Sequence, residues 1–293
     1  TIKPCIAQQD GWDLLNLGHP LTSNNKYAVG GTCIIFAEIN SNTIYAFNSL
    51  TGNWDSTLIS TTLEWKDAKA DGNTAMLVND SLAVFYSALS NSFVQLRFEG
   101  QIIPTPQKLI GCANNMGYLV SDSKFYAFDS GDSQIRSHSY VQVGETFYRQ
   151  VYKGDDYLCF NLSASDLTIH TLVAYSSITK TISEFTEENL PLFRQLEHGF
   201  IFGRTAGTPY LCGGFSAYTG TFVTKTSDII INDVLHNYDL NRVYPRLCYL
   251  FTSRSEVVNE IATLYLWVYN TLVGQFDEFS YQFNYINPHL VPS

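Results

Sequence analysis

The residues of this chain best placed to do chemistry are basic. Tyr148-Arg149-Gln150-Val151-Tyr152-Lys153-Gly154 and Phe193-Arg194-Gln195-Leu196-Glu197-His198-Gly199 align without a gap, and each puts an arginine five residues before a glycine. Lys26 stands five before Gly31, Lys66 precedes Gly72, Lys108 precedes Gly111, and Arg246 comes just ahead of the apolar run from Leu247 to Phe251. Six of only 17 basic residues therefore recur at related places in a chain of net charge −10. A guanidinium is a planar fork of donors that matches a carboxylate or phosphate bidentately, so Arg149 and Arg194 on neighbouring strands would hold one anion. His198 is the one imidazole close enough to that group to serve as acid or base. A plainer reading stands beside this one. The same cations could pair with Asp67, Asp71, Asp155 or Glu197 and fasten adjacent units of the fold.

Nothing else in the sequence spells out a reaction. There is no His-Glu-x-x-His, Gly-x-Gly-x-x-Gly, Gly-x-Ser-x-Gly or EF-hand loop, so no metal site and no cofactor are expected. The remaining histidines, His19, His138, His170, His236 and His289, are scattered. The acid pairs Asp155-Asp156 and Glu187-Glu188 read as solvated turns, because adjacent residues on a strand point to opposite faces.

The elements that must position these residues follow from a repeat. Asn42–Ser56 contains a strand, Ile44-Tyr45-Ala46-Phe47, a turn from Asn48 to Gly52, and a returning strand that opens at Trp54. The aromatic and β-branched content argues strand and the Asn, Ser and Gly argue turn, which together make a hairpin. Weaker copies follow, with second-turn residues at Gly52, Asn91, Asp132, Lys180, Gly220 and Gly274. An apolar run precedes each hairpin (Cys33–Phe36, Ala75–Val78, Gly117–Val120, Asp156–Phe160, Gly199–Phe202, Leu247–Phe251), and a shorter polar stretch precedes each run. Four strands per unit at a period of about 40 to 50 residues is the mark of a β-propeller. The expected fold is therefore all-β: a six-bladed β-propeller with four antiparallel strands per blade. It forms one domain over 1–293, with 1–25 as a cap or closing segment and blades near 26–60, 61–103, 104–143, 144–187, 188–227 and 228–293. Innermost strands line the central channel of such a fold, and that is where the six cations would fall. Trp54 is expected to be buried between blades. Phe279–Phe283 alternates as a ring-closing strand would, pairing the two ends of the chain.

Tyr45-Ala46-Phe47-Asn48-Ser49-Leu50-Thr51-Gly52-Asn53-Trp54 resembles the third strand, turn and fourth strand of kelch-like and quinoprotein-like propeller blades. The Gly-Gly pairs, Gly30-Gly31 and Gly213-Gly214, do not stand at the end of strand two where kelch blades carry theirs. What the resemblance implies is architecture alone, because propellers host many unrelated activities.

Composition bounds the function. Charged residues make up 15% and Tyr and Phe number 19 each, which describes an aromatic-rich β scaffold with a Ser/Thr/Asn surface. The acidic balance argues against nucleic acid and anionic membrane surfaces, and no apolar run is long enough to insert in a bilayer. Cys5, Cys33, Cys112, Cys159, Cys212 and Cys248 show no Cys-x-x-Cys pair; free core thiols are expected, with one bridge through Cys5 as the alternative. Asn79-Asp80-Ser81 and Asn161-Leu162-Ser163 match the glycosylation pattern. The sequence starts at Thr1, as a processed chain or an excised domain would, and a secreted, periplasmic or cell-surface setting is expected. The function expected is a monomeric binding module recognising a glycan or protein, with an anionic ligand the sharper form. Trp12, Trp65, Tyr238 and Tyr244 are candidate exposed aromatics for it. Two alternatives are a lyase or hydrolase acting on an acidic sugar or phosphorylated substrate, with Arg149 and Arg194 holding the anion, and a structural scaffold.

Overall fold

A computed structural model of the chain describes residues 15, 17, 25–38, 41–60, 62, 64–100, 109–140, 146–164, 168–190, 192–204, 210–227, 231–232, 248–254 and 261–284. Among these residues there is no helix, and the strands form six antiparallel sheets of four. Sheet one holds β1 (Lys26–Val29), β2 (Cys33–Ala37), β3 (Thr43–Asn48) and β4 (Asn53–Leu58); sheet two holds β5 (Asp67–Asp71), β6 (Thr74–Val78), β7 (Leu82–Ser87) and β8 (Ser92–Arg97). Sheet three holds β9 (Ile110–Ala113), β10 (Met116–Val120), β11 (Lys124–Asp129) and β12 (Gln134–Ser139). Sheet four is β13 (Thr146–Lys153), β14 (Tyr157–Ala164), β15 (Ile169–Ser176) and β16 (Ile182–Glu188). Sheet five is β17 (Leu192–Gln195), β18 (Gly199–Arg204), β19 (Tyr210–Ser216) and β20 (Thr221–Ser227). Sheet six is β21 (Ile231–Asn232), β22 (Cys248–Arg254), β23 (Ile261–Asn270) and β24 (Gln275–Asn284).

Each sheet is a meander of one contiguous segment, the build of a β-propeller blade. Sheet six takes all four strands from one stretch, and Phe279–Phe283 falls in its fourth strand, paired with β23. The chain divides into two compact units: Thr1–Gln142 with Arg149–Val151, and Val143–Tyr148 with Tyr152–Ser293.

Within the first unit, sheet two lies between two apolar layers, and its sequence is written for both. Ala75, Leu77, Leu82, Val84 and Tyr86 pack with Cys33, Ile35, Ala37, Ile44, Ala46 and Trp65 on one side. The alternate residues Met76, Val78, Ala83 and Phe85 pack with Cys112, Leu119, Tyr126 and Phe128 on the other. Side chains alternate across a strand, so burial on both faces demands an unbroken apolar run, as Leu82-Ala83-Val84-Phe85-Tyr86 is. The second unit repeats this. Tyr152, Tyr157, Cys159, Leu172 and Ala174 meet Phe200, Phe202, Leu211 and Phe215, while Leu196, Ile201 and Cys212 meet Trp267 and Tyr269 on the far side of sheet five. Gly213 and Gly214 serve the same packing. A Cβ at Gly213 would strike the ring of its cross-strand partner Phe202 at 2.3 Å, and one at Gly214 would strike Tyr269 at 2.4 Å.

Two aromatic expectations change. Trp65 is a core residue at 3% exposure, not a loop aromatic. Trp54 is half-buried and packs, with its ring tilted by 52°, against its cross-strand neighbour Phe47 at 5.4 Å, on the face of sheet one opposite the layer shared with sheet two. Trp12, Tyr238 and Tyr244 lie outside the described residues.

Candidate functional site

Every sheet ends its third strand on a polar residue: Asn48, Ser87, Asp129, Ser176, Ser216 and Asn270. The fourth residue beyond it has positive φ in all six hairpins: Gly52, Asn91, Ser133, Lys180, Gly220 and Gly274. Sequence had marked these turns correctly in five cases and missed the third by one, taking Asp132 for Ser133. The left-handed residue lets its N–H reach back to the strand-end carbonyl, as from Gly52 to Asn48, Lys180 to Ser176, Gly220 to Ser216 and Gly274 to Asn270.

The strand-end side chain then does two jobs. Its oxygen accepts the N–H two residues on, from Leu50, Gly131, Ile178, Tyr218 and Leu272 onto Asn48, Asp129, Ser176, Ser216 and Asn270; Ser87 accepts instead from Ser90. Its proton goes to a carbonyl on the next hairpin: Asn48 to Ala88, Ser87 to Ser130, Ser176 to Ala217 and Ser216 to Thr271. The N–H groups these turn tips would otherwise leave unpaired are thereby satisfied, and the hairpins stand side by side. The tips carry Leu50, Leu89, Ile178, Tyr218 and Leu272, all exposed, at the same place in five of the six hairpins.

Beside the hairpins, at the same end of each sheet, lies the turn from the first strand to the second. Here the structure sets a register that the sequence did not give. In five of the sheets the residue following the third strand donates its N–H to one turn carbonyl: Ser49 to Thr32, Ala88 to Asn73, Ser130 to Asn115, Ser177 to Asp156 and Ala217 to His198, all at 2.8–2.9 Å. Thr32, Asn73, Asn115, Asp156 and His198 are therefore equivalent positions, 41 or 42 residues apart. Within each unit, neighbours among them are linked through their side chains. The Thr32 hydroxyl donates to Asn73 at 2.6 Å, and Asn73 donates to Asn115 at 2.6 Å. In the second unit His198 Nδ1 lies 2.6 Å from Asp156 Oδ2.

The sequence had singled out His198 without its partner. Asp156 orients the imidazole by accepting a hydrogen bond from Nδ1, and Nε2 lies 3.9 Å from Glu197 Oε1. The Tyr218 ring, 37% exposed on its hairpin tip, lies 5.3 Å away at 59°. Asp155 donates its N–H to the Glu197 carbonyl at 3.2 Å, tying the two turns together. This is a carboxylate, an imidazole and a phenol at the junction of two sheets. Asp156 was read above as a solvated turn residue; its side chain is only 26% exposed and is committed to His198.

The basic residues do not share one position. Gly154 donates to Tyr157 as Leu196 donates to Gly199, so Gly154 corresponds to Leu196 and not to Gly199. Arg149 then precedes Asp156 by seven residues and Arg194 precedes His198 by four; Arg194 is in register with Tyr152. The strands of both arginines are described and their side chains are not. Lys26 is half-buried opposite Ala37 on β1. Lys66 pairs with Asp80 of its own sheet in full view of solvent, and not with Asp67 or Asp71. Lys108 and Arg246 lie outside the described residues. Other cations are held by acids: Lys69 by Asp67 at 2.7 Å, Lys124 by Glu99 at 2.8 Å, Arg136 by Asp132 at 2.6 Å, and Lys225, from the next sheet, by Glu278. Exposed pairs of this kind stabilise by about 1 kcal/mol at most.

Cys33, Cys112, Cys159 and Cys212 are buried thiols outside any disulfide, and Cys5 and Cys248 lie among side chains not described. Both glycosylation patterns fall on buried asparagines. Asn79 accepts the N–H groups of Ser81 and Leu82 at 2.9 and 2.8 Å, and Asn161 is enclosed beside His170. Among the described residues no group of three or more His, Cys, Asp or Glu could hold a metal ion, and no helix is long and apolar enough to cross a membrane.

No family model matches the chain, and no curated protein matches it. Solved structures do resemble it at low identity. Kluyvelomyces marxianus Hsv2 is 7% identical over 89% of this chain and 98% of that one, with a TM-score of 0.32. The β-propeller domain of Myceliophteria thermophila Cps50 (Swd1) is 8% identical over 89% of each chain, with a TM-score of 0.29. The WD40 domain of SCAP from fission yeast is 8% identical over 90% of this chain and 76% of that one, with a TM-score of 0.28.

Proposed function

We propose that this chain is a binding module that meets a protein or glycan ligand at the end of its sheets where the hairpins lie. One observation carries the reading: Leu50, Leu89, Ile178, Tyr218 and Leu272 repeat an exposed large apolar side chain at one hairpin position. The turn uses at most the N–H of that residue, so serine or asparagine would fold there equally well, and single exposed apolar residues do not normally recur in register. The hairpin tips are also nearly free of charge, Asp132 and Lys180 excepted, on a chain of net charge −10. Neutral, apolar-tipped hairpins on an acidic protein suit contact more than catalysis. The Asp156–His198 pair fits this as well, because it stands where Thr32, Asn73 and Asn115 stand and makes the same kind of link between sheets.

The test compares the wild type with a combined variant, Leu50→Ser, Leu89→Ser, Ile178→Ser and Leu272→Ser. Both are presented to a glycan array and to an extract of the source organism, with bound species identified by mass spectrometry. A ligand held by the wild type and lost from the variant, at unchanged melting temperature, is the expected result. Ligands retained equally by both would end the proposal.

A further inference from the structure

We propose that Tyr218, His198 and Asp156 form a subsite for a single neutral sugar ring, an inference that rests on the hairpin-end reading and specifies its ligand. Three features point to it. Tyr218 presents an exposed aromatic ring on a tip whose backbone is pinned, its N–H accepted by Ser216 Oγ at 3.1 Å. The ring faces of sugars carry C–H groups, and an aromatic with one wet end is the side chain that meets such a surface. The His198 backbone is held by the same hairpin, its carbonyl accepting the Ala217 N–H at 2.9 Å, the imidazole is held by Asp156, and the two rings lie 5.3 Å apart.

The third feature is the polar complement. With Nδ1 given to Asp156, a neutral His198 offers Nε2 as an acceptor, and Asp156 keeps its second carboxylate oxygen as another. The Ser177 hydroxyl donates to the Asp156 carbonyl at 3.1 Å, which fixes the turn bearing the carboxylate. Two acceptors on one rigid edge beside an aromatic face match two adjacent hydroxyls of a pyranose, each of which can donate. Glu197 Oε1 lies 3.9 Å from Nε2, beyond direct hydrogen-bond reach. A partner's lysine would also meet carboxylates here, but it has no acceptors to use on the hydroxyl-rich tips around Tyr218, where Ser177, Thr179, Thr219 and Thr221 lie.

The experiment is saturation-transfer difference NMR with the methyl glycosides of glucose, galactose, mannose, fucose and N-acetylglucosamine, and with N-acetyl-lysine amide as a cationic probe. At least one glycoside should bind the wild type at millimolar concentration, with transfer strongest at its C–H face. Tyr218→Ala should weaken it about tenfold or more, the scale of losing one stacked ring, while Tyr218→Phe should keep most of it. His198→Ala should weaken it without shifting the melting temperature as far as a core change does. Binding of the lysine probe alone, or of neither probe, overturns the sugar subsite. If ligand capture still depends on the leucine and isoleucine tips, the hairpin-end reading survives that result; if capture is independent of them as well, both fall.

Discussion

Asn73 takes a proton from the Thr32 hydroxyl at 2.6 Å and passes one of its own to Asn115 at 2.6 Å, so a single half-buried amide joins three consecutive sheets. A side-chain amide can accept through its oxygen on one side and donate through its nitrogen on the other. Asn73→Ala should cost about 1–3 kcal/mol, the range for losing such bonds with their partners left in place. Asn73→Asp keeps the acceptor and loses the donor, and should fall between wild type and alanine. Chemical denaturation of the three proteins checks the order.

The two tryptophans of sheet one and its neighbouring turn should separate cleanly. Trp65 is 3% exposed inside the layer between sheets one and two, and its truncation to alanine should cost about 3–5 kcal/mol. Trp54 is half-buried against one ring, and Trp54→Ala should cost clearly less. Equal losses would mean that the two faces of sheet one are equally enclosed.

Gly220 has a φ of 67°, and a Cβ there would lie 2.3 Å from the hydroxyls of both Thr179 and Thr181 on the neighbouring hairpin. Gly220→Ala should destabilise by about 1–2 kcal/mol from the left-handed backbone, plus whatever the threonines cost in moving. The double variant Gly220→Ala, Thr179→Ser should show little relief, since the clashing atom is the hydroxyl that serine retains. A melting curve for each decides it.

Burial pushes the thiols of Cys33 and Cys212 up to about 12 from an ordinary 9.0, with Asp71 adding to the rise at Cys33 and Lys225 opposing it at Cys212. The folded state therefore holds these protons where the unfolded chain gives them up. Their contribution to stability is complete below pH 9 and is lost as the pH climbs from there towards 12. In a Cys5→Ser, Cys248→Ser protein, a thiol reagent at pH 8 should label almost nothing until denaturant is added. Replacing Cys33 by alanine should flatten the decline in stability above pH 9.

The hairpins were legible because turn chemistry is local. Asn48-Ser49-Leu50-Thr51-Gly52 states its own conformation, and so do Ser216 to Gly220. The apolar runs were legible because two-sided burial writes itself as continuous hydrophobicity, as in Leu82 to Tyr86. What failed was comparison between sheets. Gly154 and Gly199 invited an alignment by residue type, whereas the chain aligns Gly154 with Leu196 through a hydrogen bond that either residue can make. The equivalent turn residues Thr32, Asn73, Asn115, Asp156 and His198 share a spacing and a polar side chain but no chemistry, so a search for recurrent cations passed over them. Asp156 as partner of His198 was hidden for the same reason: the two are 42 residues apart and meet only because consecutive sheets stack.

The joint between hairpins has a consequence for how this surface can change. Ser176 and Ser216 address the carbonyls of Ala217 and Thr271, and a carbonyl belongs to every amino acid. The receiving residue and the tip beside it are therefore free to vary without renegotiating the contact. Selection, or an engineer, can rewrite Leu50, Leu89, Ile178, Tyr218 and Leu272 one at a time, each on a mount that ignores the identity of what it carries.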